Sequence, residues 1–251
     1  MDSRAAPVRK LTARSAILSA LLGAHPAEAP VSWIVRVSTG LGLQESAVRA
    51  ALTRMVAGGD LERRDSAYRL APRLIERQNR QDEAMHPPTG EWDGTWRLAI
   101  VTVGADDSTD RAAFREVLRA KKFGELREGV WTRPDNLGTE FPTAAARRLT
   151  IFTGRPGEPD RELAERLFQP DSWAENARLL LSAMSAADSI GDRFEIAAAT
   201  VRHILNDPML PAELLPDRWP GRELRAAYLD FRTEFAAFAE ALMGSAAAQR
   251  S

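Results

Sequence analysis

Cysteine is absent from the 251 residues, which excludes disulfides, thiolate nucleophiles and cysteine metal sites and fits a reducing compartment. Histidine is almost as scarce. His25, His86 and His203 are far apart and show no metal-ligand spacing. No phosphate-binding glycine loop and no G-x-S-x-G nucleophile elbow occurs, so neither a catalytic residue nor a metal or cofactor site is expected. No apolar run approaches the roughly 20 residues of a membrane helix. These absences leave a cytoplasmic, non-enzymatic protein without a membrane partner as the expected class.

A strong charge of one sign is missing too, since the formal net charge is −1, but the average conceals a split. Residues 1–80 carry 13 Lys+Arg against 7 Asp+Glu, a formal +6, whereas residues 81–251 carry 21 against 28, a formal −7. The basic end is suited to attract a polyanion while the rest of the chain keeps it soluble.

Within that basic end, Leu41 to Leu70 reads LGLQESAVRAALTRMVAGGDLERRDSAYRL and has the outline of a winged helix-turn-helix. Trp33 to Thr39 predicts a short helix with Trp33, Ile34 and Val37 on its apolar side, and Gly40 and Gly42 mark a tight turn. At about 100° per residue, a helix over Gln44 to Ala57 gathers Ala47, Val48, Ala51, Leu52, Met55 and Val56 on one side and Ser46, Arg49, Ala50 and Thr53 on the other. Gly58 and Gly59 end it. A hairpin follows, opened by Leu61 and closed by Tyr68 and Leu70, with Arg63, Arg64 and Arg69 on or near its tip.

In such a motif the second helix enters the major groove, where arginine donates two hydrogen bonds to guanine and small or methyl-bearing side chains accept the thymine methyl. Arg49 is the first base-reading candidate, with Gln44, Ser46, Ala50 and Thr53 beside it; Arg36, Arg54, Arg63, Arg64 and Arg69 are phosphate candidates. The competing reading is a winged-helix module that binds protein, with these arginines as solvated surface charge.

The N-terminus admits two readings. Arg4, Arg9, Lys10 and Arg14 precede apolar Ala16 to Leu22, and Ala27-Glu28-Ala29 imitates a signal-peptidase site. Against that, Thr12 is placed to cap a helix whose Ile17, Leu18, Leu21 and Leu22 form the third wall of the head. The helix is the expected outcome.

Beyond the hairpin, Pro72 starts an arginine-rich helix that runs out at Met85-His86-Pro87-Pro88-Thr89-Gly90, a linker composition. Strand patterns over Trp96–Val103, Leu126–Thr132 and Leu149–Phe152 alternate with helical ones over Ser108–Lys122 and Asp160–Phe168, which predicts a small ferredoxin-like α+β domain. Helices are expected over 172–187, 192–206 and 223–243. The fold class is therefore α+β multidomain: a winged head over 1–86, a ferredoxin-like central domain over 91–168 and a helical C-terminal domain over 169–251.

Three motifs carry a resemblance that spans about Ala16 to Leu242: SAVRAALTRM (46–55), WDGTWRLAIVTV with FGELREGVWTRP, and DPMLPAELLPDRWPG (207–221). Together they resemble the PaaX family, repressors of phenylacetic acid catabolism genes, although the family's wing is usually longer than RRDSAYRL. The resemblance implies a homodimer on a double-stranded DNA operator, a middle domain similar to a small CRISPR-associated nuclease subunit, and release by phenylacetyl-coenzyme A or a related acyl-coenzyme A thioester. Trp92, Trp96 and Trp131 are candidates for the acyl group and Arg97, Arg127 and Arg133 for the coenzyme A phosphates, each with a plain core or surface role as the alternative. DPMLPAELLPDRWPG itself reads as a rigid apolar clamp, its prolines limiting helix to one turn.

A metal-dependent nuclease in the central domain is the enzymatic alternative. It wants a carboxylate at the end of its first strand; Asp106 and Asp107 instead fall in the following loop, where capping the Ser108 helix is their simpler role.

Overall fold

The computed structural model describes residues 8, 10–87, 90–104 and 107–248, with side chains up to residue 245; Arg4, Arg9, Pro88, Thr89 and Asp106 lie outside the described residues. The first part of the chain forms α1 (Ala13–Gly23), β1 (Glu28–Pro30), α2 (Val31–Gly40), α3 (Glu45–Ala57), β2 (Leu61–Arg64), β3 (Ala67–Leu70) and α4 (Pro72–Met85). Next come β4 (Trp96–Val101), α5 (Ser108–Ala120), β5 (Gly124–Arg127), β6 (Val130–Pro134), α6 (Thr143–Ala146), β7 (Leu149–Gly154) and α7 (Asp160–Phe168). The chain ends in α8 (Pro170–Ala186), α9 (Ile190–Leu205), a 3-10 turn at Ala212–Leu214 and α10 (Gly221–Ala248). It is a mixed α+β protein with two small antiparallel sheets.

These elements form two compact units that do not follow chain order. One comprises Met1–His86, Asn176–Asn206 and Pro220–Ser251; the other comprises Pro87–Glu175 and Asp207–Trp219.

In the first unit, Thr12 caps α1 through a capping box with Ser15, its Oγ1 accepting from the Ser15 N–H at 3.1 Å, which satisfies a donor that the first helical turn leaves free. Ile17, Leu21, Ile34, Val48, Leu52, Met55 and Leu70, all 0–2% exposed, make one core from α1, α2, α3 and β3. The stripe that α3 buries is narrower than its sequence suggests. Val48, Ala51, Leu52 and Met55 pack, whereas Ala47 and Val56 are exposed, because positions spaced i, i+3, i+4 and i+7 suffice to meet the neighbouring helices. Gly42, at φ 88°, makes the left-handed turn between α2 and α3 that a side chain would strain.

Hairpin β2–β3 pairs through Leu61↔Leu70, and β1, which the sequence pattern did not announce, adds a third strand on β3 with Glu28↔Arg69. At three residues β1 is too short for an alternation to register. Its outer end is tied to the hairpin tip by the Val31 N–H donating to the Ser66 carbonyl at 2.9 Å. Helices α9 and α10 belong to the same unit, joined by the aromatic run Phe194, Phe231, Phe235 and Phe238 with ring centroids 5.0–6.1 Å apart.

The second unit holds a four-stranded sheet in the order β5-β6-β4-β7, all neighbours antiparallel. The single strand expected over Leu126–Thr132 is a hairpin instead, interrupted at Glu128-Gly129, where Gly129 takes φ 76°; the turn is short enough to hide inside an otherwise strand-like run. Asp107 caps α5, its carboxylate accepting from the Asp110 N–H at 2.8 Å. Phe114 and Leu118 of α5 pack on Ala99 and Trp131. The 207–219 segment packs in this unit: Leu210 and Leu214 join Trp96 and Leu163 in a second small core, Trp219 stacks on Trp173 at 4.3 Å, and Arg161 Nε donates to the Glu213 carbonyl at 2.9 Å. Pro211 opens the 3-10 turn, as the proline spacing predicts.

Candidate nucleic-acid interface

Helix α3 is held from behind and free in front. Its buried stripe is anchored in the core, and its C-terminal end is closed by Arg73, whose Nη2 donates to the Gly58 and Gly59 carbonyls at 3.4 and 3.3 Å and to Asp60. Asp60, 6% exposed, also accepts from Arg14 Nε and Nη2 at 3.2 and 2.7 Å. One buried carboxylate thus ties α1 and α4 to the junction between α3 and β2, and two guanidinium partners satisfy its charge. Sequence reading passed over this clamp. Arginines 13 and 46 residues from an aspartate give no local signal.

On the open side, Gln44, Ser46, Arg49, Ala50, Thr53 and Arg54 are all exposed. Arg49 points its Nε and Nη2 at Glu45 Oε1, 2.8 and 2.7 Å away, an i,i+4 pair with both side chains more than half exposed. The Thr53 hydroxyl donates to the Arg49 carbonyl at 3.2 Å, so its methyl and its lone pairs remain for a groove. Gln44 stands at the N-cap without a side-chain capping bond. These positions form one continuous polar face of small and cationic side chains, the composition a major groove accommodates.

The hairpin contributes unevenly. Arg63 and Arg64 are exposed on β2, with Arg64 3.5 Å from Glu62. Asp65 and Ser66 form a two-residue tip, Asp65 in the left-handed region at φ 49°, which short polar side chains tolerate. Arg69 is half-buried on the central strand of its sheet and sits in register between Glu28 and Glu62, which offset its charge. Arg36 is half-buried on α2, its Nη1 3.7 Å from Met243 Sδ of α10. The structure therefore brings the α3 candidates onto one face, with Arg63 and Arg64 exposed on the hairpin, and sets Arg36 against a C-terminal helix.

The six candidates for an acyl-thioester site are not gathered into one pocket. Arg97, Trp131 and Arg133 share one face of the central sheet, through Arg97↔Arg133 and Ala99↔Trp131, and Trp96 turns to the other, where its Nε1 donates to Asp160 at 2.7 Å. Trp92 donates to the Thr95 carbonyl at 2.6 Å and meets Trp96 edge-on. Arg127 is exposed at the end of β5. Arg97 reaches the Thr139 carbonyl. Trp131 borders a cavity of about 250 Å³ whose Arg115 and Arg148 are already paired with Glu125 and Asp110.

Arg133 is the most committed of these. It is 1% exposed, and its Nε, Nη1 and Nη2 donate to the carbonyls of Pro134, Lys121, Lys122 and Met209 and to Asn136 Oδ1, at 2.7–3.4 Å. Five bonds match the five N–H groups of a guanidinium, which leaves none for a phosphate. Burial pulls its pKa down to about 10, opposed by the nearby Asp135 carboxylate and aided by Arg97.

Among the described residues no group of three or more His, Asp or Glu is placed to hold a metal ion, and none of the helices is long and apolar enough to cross a membrane.

Family models match the chain in three consecutive stretches: one described as PaaX-like protein over residues 12–74, one as PaaX protein central Cas2-like domain over 89–162, and one as PaaX-like protein C-terminal domain over 166–245. The transcriptional repressor PaaX of Escherichia coli (strain K12) is 27% identical over 215 residues, covering 74% of this chain and 67% of that protein. Among solved structures, uncharacterized protein Rv0674 from Mycobacterium tuberculosis matches with a TM-score of 0.77 and 50% identity over 92% of this chain and 99% of that one.

Proposed function

The chain belongs to the PaaX family of transcription regulators, and from that premise we propose that it is a DNA-binding repressor of a catabolic operon, released by an acyl-coenzyme A thioester. In this reading α2 and α3 are the helix-turn-helix, β2–β3 is the wing, and α3 lies in the major groove with Arg49 reading a base edge and Arg54, Arg63 and Arg64 on phosphates. One observation carries it: α3 is sealed into the core along Val48, Ala51, Leu52 and Met55 while Ser46, Arg49, Ala50 and Thr53 stand exposed together. The basic excess of residues 1–80 points the same way. The central unit, with its strand order β5-β6-β4-β7 and α5 as first crossover, we assign to a ferredoxin-like layout in which the second crossover is reduced to α6. A homodimer would set two copies of α3 about one DNA turn apart, roughly 34–36 Å, on a palindromic operator.

The test is a gel-shift titration of the full-length protein on the DNA upstream of its own gene, with and without a panel of acyl-coenzyme A thioesters. Saturable binding that survives competitor DNA, and is reversed by a thioester but not by free coenzyme A, is the expected result. Retention that vanishes at moderate salt on every DNA would instead mark a protein-binding module.

A further inference from the structure

The first unit contains a half-open cavity of about 280 Å³ lined by α1, α2, α4, α9 and α10. Its walls are chiefly carbon: Trp33, Phe194, Phe231 and Phe235, with small Ala197 and Ala198 leaving the room. A closed, dry cavity of roughly 150 Å³ holds benzene, so on that scale this one has room for a ring with a short chain and cannot enclose a nucleotide.

Two polar features stand in that apolar lining. Gln81, 5% exposed, donates its amide to the Tyr228 hydroxyl at 3.0 Å and leaves Oε1 buried without a partner. A half-turn of the amide, with the tyrosine donating instead, would turn the unpartnered end into N–H, so in either orientation Gln81 lacks one polar neighbour, and a buried amide left so is destabilising. The second is charge. Arg77, Arg202 and Arg232 border the space against one carboxylate, Glu240. Arg232 is engaged by the Gly23 carbonyl and by Asp82, and Arg202 has partners of its own, whereas half-buried Arg77 forms no ion pair among the described residues.

We propose that this cavity binds a small acyl group, an aryl or short alkyl carboxylate or the acyl end of its thioester, with the carbon body among Phe194, Phe231 and Phe235, an acyl oxygen accepting from Gln81 Nε2 in the half-turned amide, whose Oε1 then accepts from the Tyr228 hydroxyl, and the negative charge at Arg77. The chemistry is that of an amphiphilic anion: aromatic walls gain by covering apolar surface, and a guanidinium at the edge of a poorly solvated site favours a carboxylate or phosphate. The site lies away from the Trp92–Arg133 set. Its walls include α2, which is joined to α3 by a short turn, so an occupant can bias the helix that the DNA reading uses; only this regulatory consequence rests on that reading.

Isothermal titration calorimetry on the full-length protein, with benzoate, hexanoate, their coenzyme A thioesters and free coenzyme A, tests the site without DNA. Binding of the carboxylates or of the thioesters, with none of free coenzyme A, is expected; carboxylate binding assigns the free acid as occupant and thioester binding alone places the nucleotide outside the cavity. Arg77→Gln should weaken binding on the order of tenfold, and Ala198→Phe, which fills the space, should remove it, while the melting curve stays cooperative. If Ala198→Phe does not fold, Arg77→Gln together with Gln81→Leu decides. No heat from any acyl probe at millimolar concentration, or binding that both variants leave intact, overturns the proposal. Because no DNA is present, a failed operator experiment leaves this result standing, and the reverse holds as well.

Discussion

On α3, Arg49 is 59% exposed and held by a single carboxylate one turn away, whereas in the central sheet Arg133 is 1% exposed and all five of its N–H groups have acceptors within the protein. Both were ligand-contact candidates in the sequence, Arg49 for a guanine edge and Arg133 for a coenzyme A phosphate. The difference teaches that an arginine's availability to a ligand depends on how many acceptors the fold already provides. Arg133 ties β6 to the α5–β5 turn and to the 207–219 segment; Arg49 is parked and can leave.

The largest test of that contrast is Arg133→Ala. It strips hydrogen bonds from four buried or part-buried carbonyls and opens a hole, so destabilisation of about 3 kcal/mol or more is expected in thermal or urea unfolding. Lysine should not rescue it, since three donors on a flexible stem cannot replace a five-donor fork. Arg49→Ala, by contrast, should leave the melting temperature unchanged within error. A mild Arg133→Ala variant would mean that water replaces the lost donors, and the contrast would fail.

What sequence could and could not show divides along the same line. The capping of α1 by Thr12, the α3 packing stripe, the turn at Gly42 and the Pro211 turn all lie within a few residues of their cause, and each was legible. The hairpin at Glu128-Gly129 was not, because two short strands with a tight turn share one strand-like composition. Nor was the Asp60 clamp with Arg14 and Arg73, or the buried end of Arg133, which depend on partners 3 to 76 residues away. The grouping of Asn176–Asn206 and Pro220–Ser251 with the first 86 residues is likewise a long-range fact that no local periodicity carries. Arg36 shows the same limit from another side: its type suggests a phosphate, but its neighbour is Met243.

The second test asks whether Arg49 reads sequence. Arg49→Ala should lower affinity for the specific operator by about 1 to 3 kcal/mol and for random DNA much less, measured by competition gel shift. Equal losses on both DNAs would demote it to a phosphate contact. A third, smaller effect concerns the wing: Arg63→Ala with Arg64→Ala should weaken binding to all sequences alike and flatten the salt dependence by about one unit for each contact truly lost. Unchanged affinity and slope in that double variant would remove the wing from the interface. Arg69→Ala, flanked in register by Glu28 and Glu62, should change the slope less than either.

The finest test acts on the one carboxylate that holds Arg49 in place. To donate to a base edge, Arg49 must give up Glu45, and an exposed i,i+4 pair of this kind contributes only about 0.3 to 0.5 kcal/mol to the helix. Glu45→Gln should therefore cost little stability. It also removes a negative charge from the groove-facing end of α3, which in the free protein competes with DNA for the guanidinium. Affinity for operator and random DNA should both rise, by less than about tenfold, with the gain shrinking as salt screens the lost repulsion. A loss of affinity confined to the operator would instead assign Glu45 a contact of its own, such as accepting from a cytosine amine, and Arg49 would then be positioned by that contact and not released from it.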